Sequence, residues 1–302
     1  MTDILINSEQ KKAITYDDGP LLVVAGAGTG KTTVITERIK YLLSNKKTSP
    51  KEILALTFTE KSAAEMLKRV DEVMPLGYAE PWLFTFHAFC DRLLQDESLE
   101  IGLDSSFKIL SEPEQWLLVR KHLFEFDLKH YRPLGNPTKF ISAVLQLFSR
   151  AKDEIVSAQD YLKFANKLKN GTDDAEIEER EKTIELASAY QKYQELLLSE
   201  NALDFGDLLL WTIKLLKTRP SILKKYQQQF KYILIDEFQD TNFAQFEIIK
   251  LLAPREKNPN LLVVGDDDQS IYKFRGASIS NILDFRKFYP KSKTIVLTQN
   301  YR

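Results

Sequence analysis

The feature that most restricts the fold of this 302-residue chain is a glycine-rich stretch, AGAGTGKTT, at residues 25–33. This glycine loop follows an apolar run, Leu21–Ala25, and precedes a helical pattern at 32–43. It fits the pattern G-x-x-x-x-G-K-[S/T] from Gly30 onward, with Ala25 in place of the first glycine. Glycines let the backbone N–H groups turn inward and hold phosphate oxygens at a helix N-terminus. The stretch therefore predicts a phosphate site between a buried strand and a helix.

Short apolar runs along the chain predict the sheet that carries this loop. Six of them contain few polar residues, which is typical of strands buried on both faces of a parallel sheet. The runs are 21–25, 53–58, 82–86, 232–236, 261–265 and 294–298. Helical patterns follow the first three, at 32–43, 62–70 and 87–94. This alternation predicts an α/β fold with a doubly wound, parallel sheet.

The pattern changes between about residues 104 and 202, where strand-like runs disappear and helix-period segments replace them. The segments are 112–126, 138–151, 158–168 and 174–198. Proline and glycine residues separate them, as expected of breaks between helices. We therefore expect an all-helical domain, 104–202, inserted between two parts of the α/β domain, 1–103 and 203–302.

Composition excludes several classes of protein. The net charge of −1 gives no overall positive field for nucleic acid, although a local basic groove remains compatible with it. The single cysteine, Cys90, excludes an internal disulfide framework and a four-cysteine metal site. No apolar run approaches the roughly 20 residues of a membrane span, and residues 1–10 lack a signal-peptide pattern. We expect a cytoplasmic protein.

A second polar stretch supplies what a phosphate site needs for hydrolysis. In YILIDEFQD, residues 232–240, Asp236 ends a predicted strand and Glu237 follows it. Parallel strands end at the same sheet edge, so Asp236 and the Thr32 hydroxyl are predicted to hold Mg²⁺. Lys31 is predicted to reach the β- and γ-phosphates, and Glu237 to act as general base on water. The sequence therefore predicts hydrolysis of a nucleoside triphosphate.

Eight short motifs extend this interpretation to a family. They are INSEQ at 6–10, AGAGTGKT at 25–32, TFTEKSAAEM at 57–66, TFHAF at 85–89, LDFGDLL at 203–209, DEFQDTN at 236–242, VVGDDDQSIYKFRGA at 263–277 and QNYR at 299–302. In this order they resemble the N-terminal half of a superfamily 1 DNA helicase of the UvrD/PcrA/Rep type. The resemblance runs from about Ile6 to Arg302 and is weakest in the helical insertion.

The resemblance implies a RecA-like first motor domain, 1A, that carries an inserted helical domain, 1B. It also implies movement 3′ to 5′ along single-stranded DNA, driven by hydrolysis of ATP to ADP and phosphate with Mg²⁺. The expected partners are single-stranded DNA and junctions of single- and double-stranded DNA, with accessory repair or replication proteins and no membrane. The chain is expected to lack the family's second motor domain, and so to hydrolyse ATP slowly and to unwind nothing alone.

The resemblance also assigns the adenine site. Gln10 matches the glutamine that reads the adenine edge, since its amide can donate and accept at once. Arg38 and Tyr301 match the residues that stack on the two faces of the base. The ATP-binding residues carried over from the glycine loop are Ala25, Gly26, Ala27, Gly28, Thr29, Gly30, Lys31, Thr32 and Thr33.

Three further residues are assigned to the phosphates by the same resemblance. Gln269 matches the sensor of the γ-phosphate, and Arg275 matches an arginine that helps to couple the nucleotide to DNA. Arg302 matches an arginine that reaches the γ-phosphate as charge develops during hydrolysis. With Lys31 and Glu237, Gln269 and Arg302 form the expected catalytic set.

DNA contact is assigned to two strand ends and to further aromatic residues. The candidates are Thr57, Phe58, Thr59, Thr85, Phe86, His87, Phe205, Tyr272 and Phe274. Aromatic rings bind bases regardless of sequence, at roughly 1–3 kcal/mol per stacked base. The chain departs from the family at Phe274, where tryptophan is usual, and at 60–62, where Glu-Lys-Ser replaces Asn-Lys-Ala. Core packing is the alternative for each aromatic residue, and taken singly Phe86 and Phe274 favour it.

Two other functions remain open on the sequence. The first is the motor of a helicase–nuclease subunit of the RecB/AddA type, which a nuclease signature, Asp…Glu-x-Lys, would reveal. An insertion of about 100 residues favours the simple helicase. The second is a nucleotide-dependent DNA-binding module without motor activity. The sequence has no Asn-Lys-x-Asp motif for guanine, and Gln10 and Glu237 favour ATP and its hydrolysis.

Overall fold

The computed structural model describes residues 6–17, 19–72, 80–169, 173–266 and 278–301, with the backbone alone at 278–280. Contacts divide the chain into two compact units. The first comprises Met1–Phe89 and Leu216–Arg302, and the second is Cys90–Leu215. The domain limits expected from the sequence, 103/104 and 202/203, stay a prediction.

The described residues form eight strands and twelve α-helices. The strands are β1 (Leu21–Ala25), β2 (Ile53–Thr57), β3 (Trp82–Thr85), β4 (Lys108–Ile109), β5 (Ala202–Leu203), β6 (Tyr232–Ile235), β7 (Asn260–Gly265) and β8 (Lys293–Leu297). The helices are α1 (Ser8–Thr15), α2 (Lys31–Ser44), α3 (Glu60–Asp71), α4 (Phe86–Glu97), α5 (Glu112–Lys121), α6 (Ile141–Asp153), α7 (Ala158–Lys167), α8 (Asp174–Ser199), α9 (Phe205–Thr218), α10 (Pro220–Gln229), α11 (Phe243–Leu252) and α12 (Ser278–Phe288). None of these helices is long and apolar enough to cross a membrane.

The first unit contains a six-stranded sheet in the order β3-β2-β6-β7-β1-β8, with every pair parallel. The predicted α/β fold and its parallel sheet are confirmed, and each of the six strands lies within one residue of its predicted limits. Four predicted strands end one residue early, because Phe58, Phe86, Asp236 and Thr298 have already left the ladder. Those residues therefore lie at the carboxyl edge of the sheet, where the chain turns.

The burial of the strands explains why apolar runs in the sequence predicted them. Every residue of β1 and β2 is buried, as expected for interior strands of a parallel sheet. The edge strand β8 is less buried, and Val296 is 51% exposed. Because β1 lies in the interior of the sheet, it holds the start of the glycine loop in a fixed position.

The described residues of the second unit are helical apart from turns, loops and one short ladder that the sequence pattern did not predict. Strands β4 and β5 pair in parallel over two residues each, which is too short to leave a period in the sequence. Helix α5 is also shorter than the predicted 112–126. It ends at Lys121, and a 3-10 turn, Leu123–Glu125, follows. The core of the unit includes Phe148, whose ring stacks on those of Tyr190 and Tyr193.

This unit also buries a charged group, the Lys152 cluster, formed by Lys152, Asp204 and Asp207. The Nζ atom of Lys152 lies 2.6 Å from Asp204 and 2.8 Å from Asp207, and the lysine is fully buried. The hydroxyl of Tyr193 donates to Asp204 at 3.0 Å. Burial and the neighbouring Asp204 carboxylate raise the pKa of Asp207 to about 6. The cluster holds the turn that leads into α9.

Candidate functional site

The glycine loop joins β1 to α2 through two residues with left-handed backbone. Gly28 has φ +82° and Gly30 has φ +85°, a region that residues with a Cβ rarely adopt. The Thr29 hydroxyl donates to the carbonyl of Gly26 at 2.8 Å and closes the turn. Gly30 caps α2 without a side chain, so the first N–H groups of the helix have no side-chain cap. This geometry suits a bound phosphate.

Lys31 follows the loop and lies between two carboxylates. Its Nζ atom is 2.9 Å from Oε2 of Glu237 and 3.4 Å from Oδ2 of Asp266. Lys31 is 9% exposed, whereas the side chain of Glu237 is 31% exposed. The two carboxylates follow β6 and β7, which neighbour each other in the sheet. The sheet edge therefore brings together the phosphate-binding lysine and the general base that the sequence predicts.

Thr32 and Asp236, the predicted metal ligands, also meet. The Thr32 hydroxyl donates to Oδ2 of Asp236 at 3.1 Å, and Asp236 is 2% exposed. Burial and then the Glu237 carboxylate raise the pKa of Asp236 to about 6, so a nearby cation would stabilise its ionised form. The described residues contain no group of three or more His, Cys, Asp or Glu that could hold a metal. One carboxylate and one hydroxyl fit Mg²⁺ when phosphate oxygens complete its shell.

Glu237 has an unusual backbone conformation for its residue type. Its φ of +48° and ψ of +46° are left-handed, which costs energy in a residue with a Cβ. Its Oε2 atom accepts a hydrogen bond from Nε2 of Gln239 at 2.7 Å. Its N–H donates to Oδ1 of Asp236 at 3.0 Å. The side chain is thus fixed at the mouth of the site.

The sequence did not single out Gln239 or Asp266 as site residues. Gln239 is 2% exposed, and its Oε1 atom accepts from the N–H of Asp266 at 2.9 Å. Asp266 directly follows β7, a neighbour of β1 in the sheet. Asp236 was predicted at the sheet edge because it ends a predicted strand. Asp266 directly follows another predicted strand, so the same sequence pattern could have identified it.

Gln10 is bonded at both ends of its amide within the chain. Its Nε2 atom donates to the carbonyl of Thr29 at 3.0 Å, and its Oε1 atom accepts from the N–H of Asn7 at 3.0 Å. Gln10 is 3% exposed, and a Cβ on Gly30 would lie 2.8 Å from its Nε2. The structure therefore joins Gln10 to the glycine loop, and its contact with adenine stays a prediction.

Tyr301 lies against the glycine loop with an exposed ring. Its N–H donates to the carbonyl of Gly28 at 3.0 Å, and its hydroxyl accepts from Nδ2 of Asn7 at 2.9 Å. The residue is 47% exposed. A ring face beside the phosphate loop is compatible with the predicted stacking on a base.

Arg38, the other residue predicted to stack, lies in a different environment. Its guanidinium donates to the carbonyls of Ile14 and Ala13, at 3.0 and 3.4 Å, and lies 3.9 Å from Asp17. Burial lowers its pKa, and only 3% of the residue is exposed. Arg38 therefore closes the C-terminal end of α1 and presents no open face to a base.

Five predicted site residues lie outside the described residues. They are Gln269, Tyr272, Phe274, Arg275 and Arg302. Their assigned roles stay predictions.

The predicted DNA contacts at the end of β2 divide into exposed and buried residues. Phe58 is 50% exposed, and Thr59 is exposed and caps α3 by accepting from the N–H of Ser62 at 3.1 Å. Thr57 is 1% exposed, and its hydroxyl has no hydrogen-bond partner in the described part of the chain. Phe58 and Thr59 are thus the residues of this strand end that are open to a ligand.

At the end of β3 the side chains are mostly engaged within the protein. The Thr85 hydroxyl donates to Glu60 at 2.8 Å and accepts from the N–H of Ala88 at 3.2 Å. Phe86 is 2% exposed and lies in the core, so its ring is not open to a base. Burial lowers the pKa of the partly buried His87, and the Glu60 carboxylate opposes this. Glu60, which replaces the asparagine of the family pattern, therefore accepts a hydrogen bond at this edge of the sheet.

Phe205 is the described aromatic candidate of the second unit. It begins α9 and is 48% exposed. Its neighbours in the sequence, Asp204 and Asp207, are the carboxylates of the Lys152 cluster. An exposed ring on a firmly held turn is suited to stacking.

Comparison with known proteins agrees with this geometry. The UvrD/REP helicase N-terminal domain matches residues 6–290. The chain is 42% identical to the ATP-dependent DNA helicase PcrA of Bacillus subtilis over 298 residues, which cover 98% of this chain and 37% of that protein. It is also 42% identical to the PcrA proteins of Staphylococcus epidermidis and Staphylococcus aureus, over 98% of this chain and 38% of each relative. The chain thus spans well under half the length of these relatives. It belongs to the UvrD/REP helicase N-terminal domain family.

Proposed function

We propose that this chain binds ATP with Mg²⁺ and hydrolyses it to ADP and phosphate, as part of a DNA helicase that moves 3′ to 5′ along single-stranded DNA. The observation that carries the proposal is the contact of Lys31 with Glu237 at 2.9 Å, directly after the glycine loop. A phosphate-binding cation and a general base at one sheet edge are the groups that triphosphate hydrolysis requires. The PcrA relatives are named ATP-dependent DNA helicases, which supports the same reaction.

Each residue at the edge has a distinct role in this proposal. Lys31 and the N–H groups at the start of α2 bind phosphate oxygens, and Thr32 with Asp236 would hold the metal ion. When bound, Mg²⁺ would neutralise negative charge on the β- and γ-phosphates. Glu237 accepts the proton of the attacking water. When Lys31 binds phosphate, its pairing with Glu237 weakens, and the carboxylate becomes a better proton acceptor.

Contact with DNA is proposed for the exposed aromatic residues. Phe58 and Phe205 are about half exposed, so each offers a ring face to a base without unfolding its surroundings. Single-stranded DNA and its junctions with duplex are the proposed substrates. Accessory repair or replication proteins and a cytoplasmic location belong to the same proposal. The helicase activity is proposed for the whole protein, in which such a chain forms the first motor domain.

ATP turnover by this chain, measured with and without a poly-dT oligonucleotide, tests the proposal. We expect slow but measurable turnover that the oligonucleotide increases, and Glu237→Gln should lower turnover roughly 10²–10⁴-fold while nucleotide binding remains. Phe58→Ala should weaken binding of the oligonucleotide about 10-fold, since a stacked base contributes roughly 1–3 kcal/mol. Phe243, which is 49% exposed on α11, provides the control Phe243→Ala.

Two outcomes would count against the proposal. Turnover that is unchanged by Glu237→Gln would remove the hydrolytic role of the site. In the whole protein, turnover that does not respond to single-stranded DNA would favour a nucleotide-dependent binding module over a motor.

A further inference from the structure

We infer that Gln239 is a positioning residue for hydrolysis, which holds the Glu237 carboxylate in place when Lys31 turns to phosphate. The inference rests on the proposed function. Two groups donate to Oε2 of Glu237: Lys31 at 2.9 Å and Nε2 of Gln239 at 2.7 Å. In the described part of the chain, Oε1 of Glu237 has no hydrogen-bond partner. One oxygen is thus held, and the other remains available to accept a proton.

The amide of Gln239 meets Glu237 and Asp266 with the correct polarity, and its Nε2 atom also lies 3.5 Å from Oδ2 of Asp240. Its N–H₂ group donates to the Glu237 carboxylate, and its oxygen accepts from the N–H of Asp266 at 2.9 Å. A carboxylate in its place would repel Glu237, and an apolar side chain would leave the buried N–H of Asp266 without this acceptor. Gln239 therefore links Glu237, two residues after β6, to Asp266, the residue after β7.

The backbone around Gln239 is itself anchored. The carbonyls of Gln239 and Thr241 accept from Nδ2 of Asn281, at 3.3 and 2.6 Å. A Cβ on Gly265 would lie 3.1 Å from Oε1 of Gln239, so glycine permits this close approach. Because Gln239 is 2% exposed and fixed on both sides, it can maintain the left-handed backbone of Glu237.

The consequence appears when a phosphate binds Lys31. Glu237 then loses one of its two donors, and Gln239 remains as the donor to Oε2. Without Gln239 the carboxylate would be free to rotate away from the attacking water. A misplacement of about 1 Å in such a group costs about 100-fold in rate. Substrate binding, which depends on Lys31 and the loop, would change little.

Gln239→Met tests the inference because it keeps the length of the side chain and removes both hydrogen-bonding groups. In single-turnover hydrolysis by this chain, we expect the rate constant to fall about 10- to 100-fold, with the nucleotide Kd within about threefold of wild type. The matched control is Gln245→Met, since Gln245 is 3% exposed and bonds within the capping box of α11. That control should leave the rate within about twofold.

A double variant separates positioning from a general loss of structure. If Gln239 acts through Glu237, then Gln239→Met should have no further effect on the rate in a Glu237→Gln background. An additive loss, an equal loss of nucleotide binding, or a wild-type rate in Gln239→Met would each overturn the inference. If Gln239→Met fails to fold, Gln239→Asn serves instead, because its amide is one methylene too short to reach both partners.

Failure of the proposed function gives a different result. In that case the wild-type chain itself shows no hydrolysis, and the inference falls with the reaction. If the wild-type chain is active, the comparison of Gln239→Met with Gln245→Met decides the inference alone.

Discussion

Each of the two units buries a lysine between two carboxylates, and the roles proposed for the two sites differ. In the first unit Lys31 contacts Glu237 and Asp266, and in the second Lys152 contacts Asp204 and Asp207. The charges are the same in number and sign. The two sites differ in whether a ligand can take the place of one of the carboxylates beside the lysine.

Exposure of the partners measures that difference. Glu237 is 31% exposed, whereas the side chains of Asp204 and Asp207 are 7% and 1% exposed. The Lys152 cluster is packed so closely that a Cβ on Gly206 would lie 2.7 Å from Cδ of Lys152. A ligand can bind at a buried ion pair when it can replace one member of the pair. An ion pair that is closed off from solvent, as in the Lys152 cluster, contributes only to the structure of the fold.

The largest effect is expected from Lys152→Met. It leaves two carboxylates buried without their cation, which should lower the free energy of unfolding by about 3–5 kcal/mol. Urea unfolding measures this loss, and Lys163→Met, at a lysine whose side chain is 69% exposed, is the control. Nucleotide binding by the folded fraction should be unchanged. If binding fell as much as stability, the contrast between the two lysines would be wrong.

Lys31→Ala should give the converse result. Loss of a charged donor to phosphate should weaken ATP binding about 100-fold, since hydrogen bonds to charged groups contribute roughly 1.5–3 kcal/mol. The free energy of unfolding should fall by less than in Lys152→Met, because Glu237 is 31% exposed and can be solvated, and only Asp266 loses a cation while buried. Titration with a fluorescent nucleotide measures the affinity. Lys40→Ala, which removes the partner of Glu37 on the same helix, should leave the affinity unaltered.

The smallest effect concerns pH and the sealed cluster. The pKa of Asp207 is about 6 in the folded chain, because of burial and the Asp204 carboxylate, and about 3.9 when unfolded. Between these values the folded state holds a proton that the unfolded state has lost, so this contribution to stability falls as pH rises. Asp207→Asn lacks the titrating group. The difference in free energy of unfolding, wild type minus variant, should therefore decrease between pH 4.5 and 6.5, on the order of 1 kcal/mol.

Urea unfolding at both pH values measures that difference. Asp160→Asn, at a carboxylate whose side chain is 59% exposed, should show no such trend. A difference that grows with pH would mean that the cluster favours the ionised form of Asp207.

The sequence was sufficient where a local pattern carries the information. Strand periods predicted the sheet, and the shared edge of parallel strands predicted that Lys31, Thr32, Asp236 and Glu237 would meet. The rest depends on contacts between distant residues. Lys152 and Asp204 are 52 residues apart in the sequence, and no local sequence pattern predicts that they pair.

A motif does not show which way a side chain points, so the roles that the motifs assign to Phe86 and Arg38 stay predictions. The motif TFHAF assigns Phe86 to DNA, yet the residue begins α4 inside the core. Arg38 matches by position after the loop, yet its guanidinium is used by the carbonyls of α1. Burial, which only the fold determines, distinguishes these residues from Phe58 and Tyr301.

The order of strands in the sheet has a consequence for synthesis on the ribosome. Strand β1, which carries the glycine loop, lies between β7 and β8, and its neighbours begin at Asn260 and Lys293. At about 5–20 residues per second, roughly 15–55 s separate the translation of Lys31 from that of Tyr301. Until Asn260 is translated, which takes most of that interval, β1 has neither of its neighbours, and its apolar residues remain available to chaperones. The proposed nucleotide site is thus among the last parts of this chain to form, although its loop is among the first to be made.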